Sequence, residues 1–340
     1  MSIKSDLNKF YIENGINYTV ISSNINEILM DCITNNQADI LNLFFEFITE
    51  RKIQIDINNK NEYGMYPLLK AIQKNNIDMV ESLIEYANAN NAMFEMNEQD
   101  QWGNYPFLSA IDKNNIDIVK LLRNYAIEKE TTLEINKKNI NGWFPLLVAV
   151  TENEYKMVQL IINYSRKFKI PLKYNKKNKY GWYPLLMAVD KNNVDMIKLL
   201  MNKSAKSGVI LNIQDKDNDG FYPLIKAVKN NNVEIVKSLL NYAISNDIVL
   251  EINEHKPMTL AINNNAIDIV ELLIDYTYKT NLIIDINEWD IKDISEVKIE
   301  ILKLLKKYGK QGNINIEYSK NSELLKEYNK LNGSLYIFYI

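Results

Sequence analysis

The sequence predicts an all-α fold, a solenoid of stacked helix–turn–helix repeats with short turn tips, and three observations support it. Five prolines recur every 39 residues, at Pro67, Pro106, Pro145, Pro184 and Pro223. Five glycines keep the same step three residues earlier, at Gly64, Gly103, Gly142, Gly181 and Gly220. Each proline opens an apolar run, and a second apolar stripe follows at helical spacing. A fixed period in this range is typical of a repeat array. Length alone would suggest two domains, but a repeat array grows without splitting into separate globules, so we expect a single array.

Composition narrows the class of protein and of partner. The 340 residues are 46% hydrophobic, enough for a large core, and the formal net charge is −3. No block of lysine and arginine stands out, so we expect no nucleic-acid partner. No apolar run reaches about 18 residues, so we expect no membrane insertion. The single cysteine, Cys32, excludes an intramolecular disulfide and favours a reducing, cytoplasmic location.

The first two segments of the chain differ from the regular repeats. Residues 1–23 do not match the period, and we interpret them as an N-terminal cap that covers the end of the stack. Residues 24–62 match it weakly and form a degenerate repeat, in which Cys32 stands where the other copies carry alanine. We therefore expect Cys32 to be a small buried core residue rather than a reactive thiol.

Residues 63–252 contain about five repeats, and each part of the unit has a physical reason. Glycine supplies the left-handed turn, and proline suits the first turn of a helix, where its missing N–H is not needed. The short helix that follows ends at an asparagine, as at Asn75, and asparagine is the non-glycine residue best able to adopt the left-handed conformation. A second helix then begins, with Ile77, Val80 and Leu83 on one face. A short extended segment returns the chain to the next turn.

These motifs resemble the ankyrin repeat family, over roughly residues 24–310. The family signature Thr-Pro-Leu-His-x-Ala is matched here by Tyr-Pro-Leu-Leu-Lys-Ala at 66–71 and by similar copies, and the second-helix pattern Val-x-x-Leu-Leu appears at 236–240. The resemblance implies a β-turn and two antiparallel helices in each unit, about seven helix pairs in all.

Three departures from the family pattern carry predictions. An aromatic residue and Leu or Ile replace the Thr and His that tie neighbouring repeats together, so we expect apolar packing in place of that polar network. Asparagine replaces the glycine between the helices. The period of 39 exceeds the family's of about 33 by six residues, and we expect these to lengthen the second helix, except near Gly208, which would stop it early.

The C-terminal part of the chain departs from the regular period. Residues 253–310 form a shortened repeat, opened by Pro257, and a C-terminal cap that repeats only the second helix. Residues 311–340 are a non-repeat tail. Within it, 322–331 is compatible with a helix and 335–340 with a strand that packs on the last repeat.

Residues for catalysis are scarce. His255 is the single histidine, far from Cys32 in the array, and no phosphate loop, catalytic triad or metal-ligand spacing is present. We therefore expect no enzymatic activity, no cofactor and no metal.

The resemblance implies a binding surface made of turn tips and of the exposed ends of the short first helices. The expected protein-binding residues are Tyr63, Met65, Lys74, Trp102, Asn104, Lys113, Trp143, Glu152, Tyr180, Trp182, Lys191 and Phe221. Under the alternative, the tip aromatics only pack against neighbouring tips. The aromatic residue before each proline, such as Tyr66, is assigned to packing.

The function expected from the resemblance is a scaffold or adaptor that binds a partner protein through the concave surface of the array. We expect a monomer. The alternative is a regulatory or targeting subunit of an enzyme whose catalytic part lies on another chain or on a missing C-terminal domain.

Overall fold

The computed structural model describes residues 3–287, 290–291, 297–309 and 314–317, and the chain forms two compact units, Met1–Lys173 and Tyr174–Ile340. Seven helix pairs of the predicted kind lie in the described part. The helical-repeat fold is therefore confirmed.

Unit 1 contains nine helices in two layers. They are α1 (Ile3–Glu13), α2 (Ile25–Thr34), α3 (Ala38–Glu50), α4 (Pro67–Gln73), α5 (Ile77–Ala89), α6 (Pro106–Asp112), α7 (Ile116–Glu128), α8 (Pro145–Thr151) and α9 (Tyr155–Lys167). The short helices α2, α4, α6 and α8 pack side by side in one layer, and α3, α5 and α7 form the second layer, with α1 against α3. The short helices that begin with proline are almost wholly buried in this packing, and in α8 all of Pro145–Val150 is buried.

Unit 2 repeats this arrangement and adds a small sheet. Its elements are α10 (Pro184–Asp190), α11 (Val194–Ala205), α12 (Pro223–Lys229), α13 (Val233–Ser245), α14 (Pro257–Asn263), α15 (Ile267–Thr280), β1 (Ile284–Asn287), α16 (Ile299–Gly309) and β2 (Ile314–Glu317). Strands β1 and β2 pair in parallel, with Ile284 opposite Ile314. Within the described ranges, no helix is long and apolar enough to cross a membrane.

The ends of the first helices follow the prediction. Asn75, Asn114, Asn192 and Asn231 all have left-handed backbones, with φ between 51° and 57°. The next N–H reaches back five residues, as in the 3.1 Å bond from Asn115 N to Ala110 O, so each end is a Schellman-type cap.

The second helices take only part of the extra residues. Helices α5 and α7 have 13 residues each and end at Ala89 and Glu128. A turn follows at once, because Asn91 and Glu130 have left-handed backbones. The extra residues were expected to extend the second helix through 88–92 and 127–131. The helix includes only the first two residues of each segment, and the remaining three form the turn. Helix α11 is one residue shorter and ends at Ala205, before Gly208.

The expectation that apolar packing replaces the family's polar network holds for the replaced residues themselves, such as Tyr66 and Leu69, which are fully buried, but a polar network at other residues also joins the repeats. Asparagine side chains join the return segments of successive repeats: Asn97 donates Nδ2 to the Thr132 carbonyl at 2.7 Å and accepts from the Glu134 N–H at 2.9 Å. Equivalent pairs of bonds are made by Asn58, Asn136 and Asn175, and in the shortened repeat by Asn253. We call this series the asparagine ladder. The side chain is long enough to satisfy a carbonyl and an N–H of the next return segment at once.

The tyrosines add a second set of side-chain bonds. The Tyr105 hydroxyl donates to the carbonyls of Glu134 and Lys137, at 2.6 Å and 3.1 Å, and its ring is fully buried. Tyr66 and Tyr222 make the same pair of bonds in their own repeats. Packing is thus the role of the aromatic residue before proline, and in these three the hydroxyl also fixes the return segment.

The segment boundaries drawn from the sequence remain a proposal. In the N-terminal cap, 1–23, helix α1 buries Leu7 and Tyr11. In the C-terminal cap, α16 covers the predicted last helix. Strand β2 lies in the 311–340 tail, whereas 318–340, and with them the helix and strand suggested there, lie outside the described residues.

Candidate functional site

Each turn tip is held by the side chain of its first residue and by the next tip. Asn61 Oδ1 accepts from the N–H groups of Tyr63 and Met65, which folds the turn around Gly64. The N–H of Ile140 then donates to the Trp102 carbonyl at 3.0 Å, so neighbouring tips are bonded directly. A glycine is needed at position 103 for two reasons. Its φ of +77° is unfavourable for other residues, and an added Cβ would lie 2.8 Å from the Asn139 Cα. The tips of unit 1 therefore present their side chains from a rigid row.

The residue before each tip glycine faces solvent. Tyr63 is 47% exposed, Trp102 is 44% exposed and Tyr180 is 50% exposed. In unit 1 the rings of Tyr63 and Trp102 stack, with centroids 6.2 Å apart and planes 18° apart. The rings thus pack on each other, as the alternative reading holds, and still keep broad accessible faces.

The residue after each tip glycine is more covered. Asn104, Trp143, Trp182 and Phe221 are partly exposed, whereas Met65 is only 5% exposed. Met65 therefore offers a partner almost no surface. We therefore drop Met65 from the candidate site.

An open groove of about 460 Å³ lies in unit 1 where helices α4, α6 and α8 end. We call it the inner groove. It is lined by Gln73, Asn104, Leu108, Ser109, Asp112, Lys113, Asn139, Trp143, Val148, Thr151 and Glu152. Four of the residues expected from the sequence meet here: Asn104, Lys113, Trp143 and Glu152.

The inner groove combines one indole ring with charges of both signs. Asp112, Lys113 and Glu152 are exposed at the C-terminal ends of α6 and α8. Leu108 and Val148 contribute the apolar part of the lining. Such a surface can bury an apolar contact of a ligand while the rim charges select its polar groups.

In unit 2 the expected tip aromatics contact lysines of their own unit. The Lys226 Nζ lies 4.6 Å from the Trp182 ring centroid and 5.0 Å from that of Phe221, and Lys229 Nζ lies 4.4 Å from Phe221. Lys226 also pairs with Asp190 at 3.0 Å and with Asp217 at 3.6 Å. These two rings are therefore used, at least on one face, within unit 2.

The two remaining candidates, Lys74 and Lys191, lie outside the inner groove. Lys74 is half-buried after α4, and Lys191 is exposed after α10.

Neither residue weighed for catalysis lines the inner groove. Cys32 is fully buried, and burial raises the pKa of its thiol to about 12, so the nucleophilic thiolate is suppressed. His255 lies at the left-handed turn before α14, 5.6 Å from the Phe221 ring centroid. No group of three or more potential metal-ligating His, Cys, Asp or Glu side chains is found in the part of the chain that the structure describes.

Sequence reasoning missed the floor of the groove, formed by Ser109, Val148 and Asn139. A signal was available: the third residue after each proline varies among the regular copies, which have Lys70, Ser109, Val148, Met187 and Lys226. A position that varies among otherwise similar repeats is free of the packing that fixes its neighbours.

Comparisons with known proteins agree with this architecture. The model of the family described as "Ankyrin repeats (3 copies)" matches residues 29–133, 91–171, 132–215, 165–249 and 205–284. No curated protein matches the chain. Among solved structures, the ankyrin repeat domain of Bcl-3, described as a unique member of the IkappaB protein family, is similar with a TM-score of 0.52 at 16% identity, over 72% of this chain and 96% of that one.

At that identity the structural likeness speaks for the fold alone, but the family matches extend across most of the chain. The turn, the two antiparallel helices and the return segment are those that the resemblance implied. This chain belongs to the ankyrin repeat family.

Proposed function

We propose that this protein is a non-catalytic scaffold or adaptor that binds a partner protein through the inner groove and the neighbouring turn tips. The observation that carries the proposal is the groove itself. Its volume of about 460 Å³ is in the range of clefts that accept ligand groups, and its lining includes four of the residues expected from the resemblance.

The tip row beside the groove supports a protein rather than a small molecule as the ligand. Tyr63 and Trp102 expose large rings with few rotatable bonds, and such rings dominate the binding energy of protein interfaces. Their backbones are fixed by bonds between tips, so little conformational entropy is lost on binding.

The experiment is affinity capture with the full chain, followed by mass spectrometry. Trp143→Ala should reduce capture of the specific partner, because the indole is the aromatic lining of the groove, and a hot-spot loss is about 2 kcal/mol or more. The matched control is Tyr155→Ala in the same repeat, which removes a 40% exposed ring on α9 that does not line the groove.

Each variant is compared at equal folded fraction, measured by circular dichroism, since Trp143 is partly buried. The proposal predicts strong loss for Trp143→Ala and none for Tyr155→Ala. Equal capture by wild type and Trp143→Ala would contradict it.

We also propose that the protein acts as a monomer in the cytoplasm. The covered Cys32 thiol supports a reducing compartment, since it forms no disulfide there. Light scattering should give the monomer mass of 39.7 kDa.

A further inference from the structure

Unit 2 has a lysine side chain bound at the place that corresponds to part of the inner groove. Stepping forward by two repeats, Asn104, Asp112, Asn139, Trp143 and Val148 of the inner groove correspond to Trp182, Asp190, Asp217, Phe221 and Lys226 of unit 2. Repeat-equivalent residues occupy equivalent places in a solenoid. The contacts around Lys226 therefore show what the inner groove is shaped to hold.

In unit 2 this place holds a lysine ammonium. Its Nζ lies against the Trp182 and Phe221 rings and forms ion pairs with Asp190 and Asp217, and the Lys226 side chain is only 15% exposed. Aromatic faces and carboxylates are the two kinds of group that attract a desolvated ammonium. All of these partners come from the same unit.

In unit 1 the ammonium is missing, and one aromatic ring and one carboxylate of its four neighbours have counterparts, whereas Asn104 and Asn139 replace Trp182 and Asp217. Val148 stands where unit 2 has Lys226, so no lysine fills the space from within the repeat. Asp112 keeps the carboxylate of Asp190, Trp143 keeps the aromatic ring of Phe221, and Glu152 adds a second acid where unit 2 has Asn230. Lys113 is the one cation among the lining residues, against these two carboxylates.

We propose that the inner groove of unit 1 binds a lysine side chain of the partner protein, in the manner in which unit 2 binds its own Lys226. The inference rests on the proposed function and names the chemistry of the partner, a basic exposed segment. The lysine stem lies along Leu108 and Val148, and its ammonium lies between the Trp143 ring and the Asp112 carboxylate.

The test is ¹⁹F NMR of the full chain labelled with 5-fluorotryptophan, in which the four tryptophans should give one signal each. The probe is the peptide acetyl-Ala-Ala-Lys-Ala-Ala-amide, and the matched control peptide carries norleucine, which keeps the stem and lacks the charge. The Trp143 signal is assigned by its loss in Trp143→Phe. It should shift saturably with the lysine peptide, and the norleucine peptide should bind about tenfold more weakly.

Two variants test the site itself. Val148→Lys supplies an internal lysine and should abolish the response. Asp112→Asn changes an exposed residue, so it should leave the fold intact and weaken binding of the lysine peptide without affecting the norleucine peptide. The proposal is overturned if the two peptides bind equally, if the Trp143 signal does not respond, or if Asp112→Asn binds the lysine peptide as wild type does.

Failure here is distinguishable from failure of the proposed function. A captured partner that is lost from Trp143→Ala, together with a lysine peptide that leaves the Trp143 signal unchanged, would keep the scaffold proposal and refute the lysine site.

Discussion

Removing the Tyr105 hydroxyl should destabilise the fold measurably, although one atom is lost from an unchanged ring. In Tyr105→Phe the carbonyls of Glu134 and Lys137 lose a buried donor at 2.6 Å and 3.1 Å. One such bond contributes about 0.5–1.5 kcal/mol net, and acceptors left without a donor add to the loss. Because a single proton serves both carbonyls, we expect a decrease in unfolding free energy of about 1–2 kcal/mol.

Urea unfolding measures this cost, and amide hydrogen exchange over residues 131–137 locates it, since long repeat arrays need not unfold in two states. Phe144 stands at the equivalent position of the next repeat and is fully buried, so a ring without hydroxyl fits the fold. The control is Tyr63→Phe at an exposed tip, where we expect a change within about 0.5 kcal/mol. An equal effect of both variants would refute the reasoning.

The difference in unfolding free energy between the wild type and Tyr105→Phe should also depend on pH, and burial of the hydroxyl predicts that it decreases as pH rises. Burial raises the pKa of Tyr105 well above its ordinary value of 10.0. Above pH 10 the unfolded tyrosine ionises while the folded one stays neutral, so the wild type loses stability as pH rises and Tyr105→Phe does not lose this share. The difference between them should shrink by up to about 1.4 kcal/mol for each pH unit above 10. A constant difference up to pH 11 would show that the hydroxyl is not held neutral.

Three further outcomes are expected. Asn97→Ala removes both bonds of one rung of the asparagine ladder and should cost about 1–2 kcal/mol in urea unfolding, whereas a loss below about 0.3 kcal/mol would mean that water replaces the rung. Asn114 has φ +51°, so Asn114→Gly should be nearly neutral and Asn114→Val should cost about 1 kcal/mol or more, and equal melting temperatures would contradict this. Burial raises the pKa of Cys32 to about 12, so a thiol reagent at pH 8 should modify it only as fast as the protein opens. For the same reason the unfolding free energy should fall as pH rises above the ordinary thiol pKa of 9.0. Rapid labelling of the folded protein would refute this burial.

Local signals predicted most of the repeat unit. Proline begins each regular first helix, glycine takes the left-handed angle in each tip, and asparagine ends the first helix, because each depends on the conformational limits of one residue. The length of the second helix was predicted less well. The helix is stopped by a left-handed residue that follows its end, such as Glu130 after α7, and the sequence has no strong local signal for that conformation at a glutamate.

The polar contacts between segments were the main failure. Asn97 and Tyr105 bond to backbone groups about 30 or more residues away, so their roles depend on which return segment the fold brings beside them. The abundance of asparagine was visible, but its pairing with the next return segment was not, and the loss of the family's Thr and His was therefore taken to mean apolar packing.

The sequence by itself determined that this chain is a stack of ankyrin-type helix pairs and which residues form its tips, because the period repeats local conformational preferences and one apolar pattern. Only the tertiary structure decided which of those tips are accessible: Tyr63 and Trp102 face solvent, while Met65 is covered. It also decided that Lys226 occupies its site in unit 2 while the equivalent place in unit 1 is an open groove. The physical reason is that accessibility and charge pairing arise between residues of different repeats, at distances that only the packed helices fix.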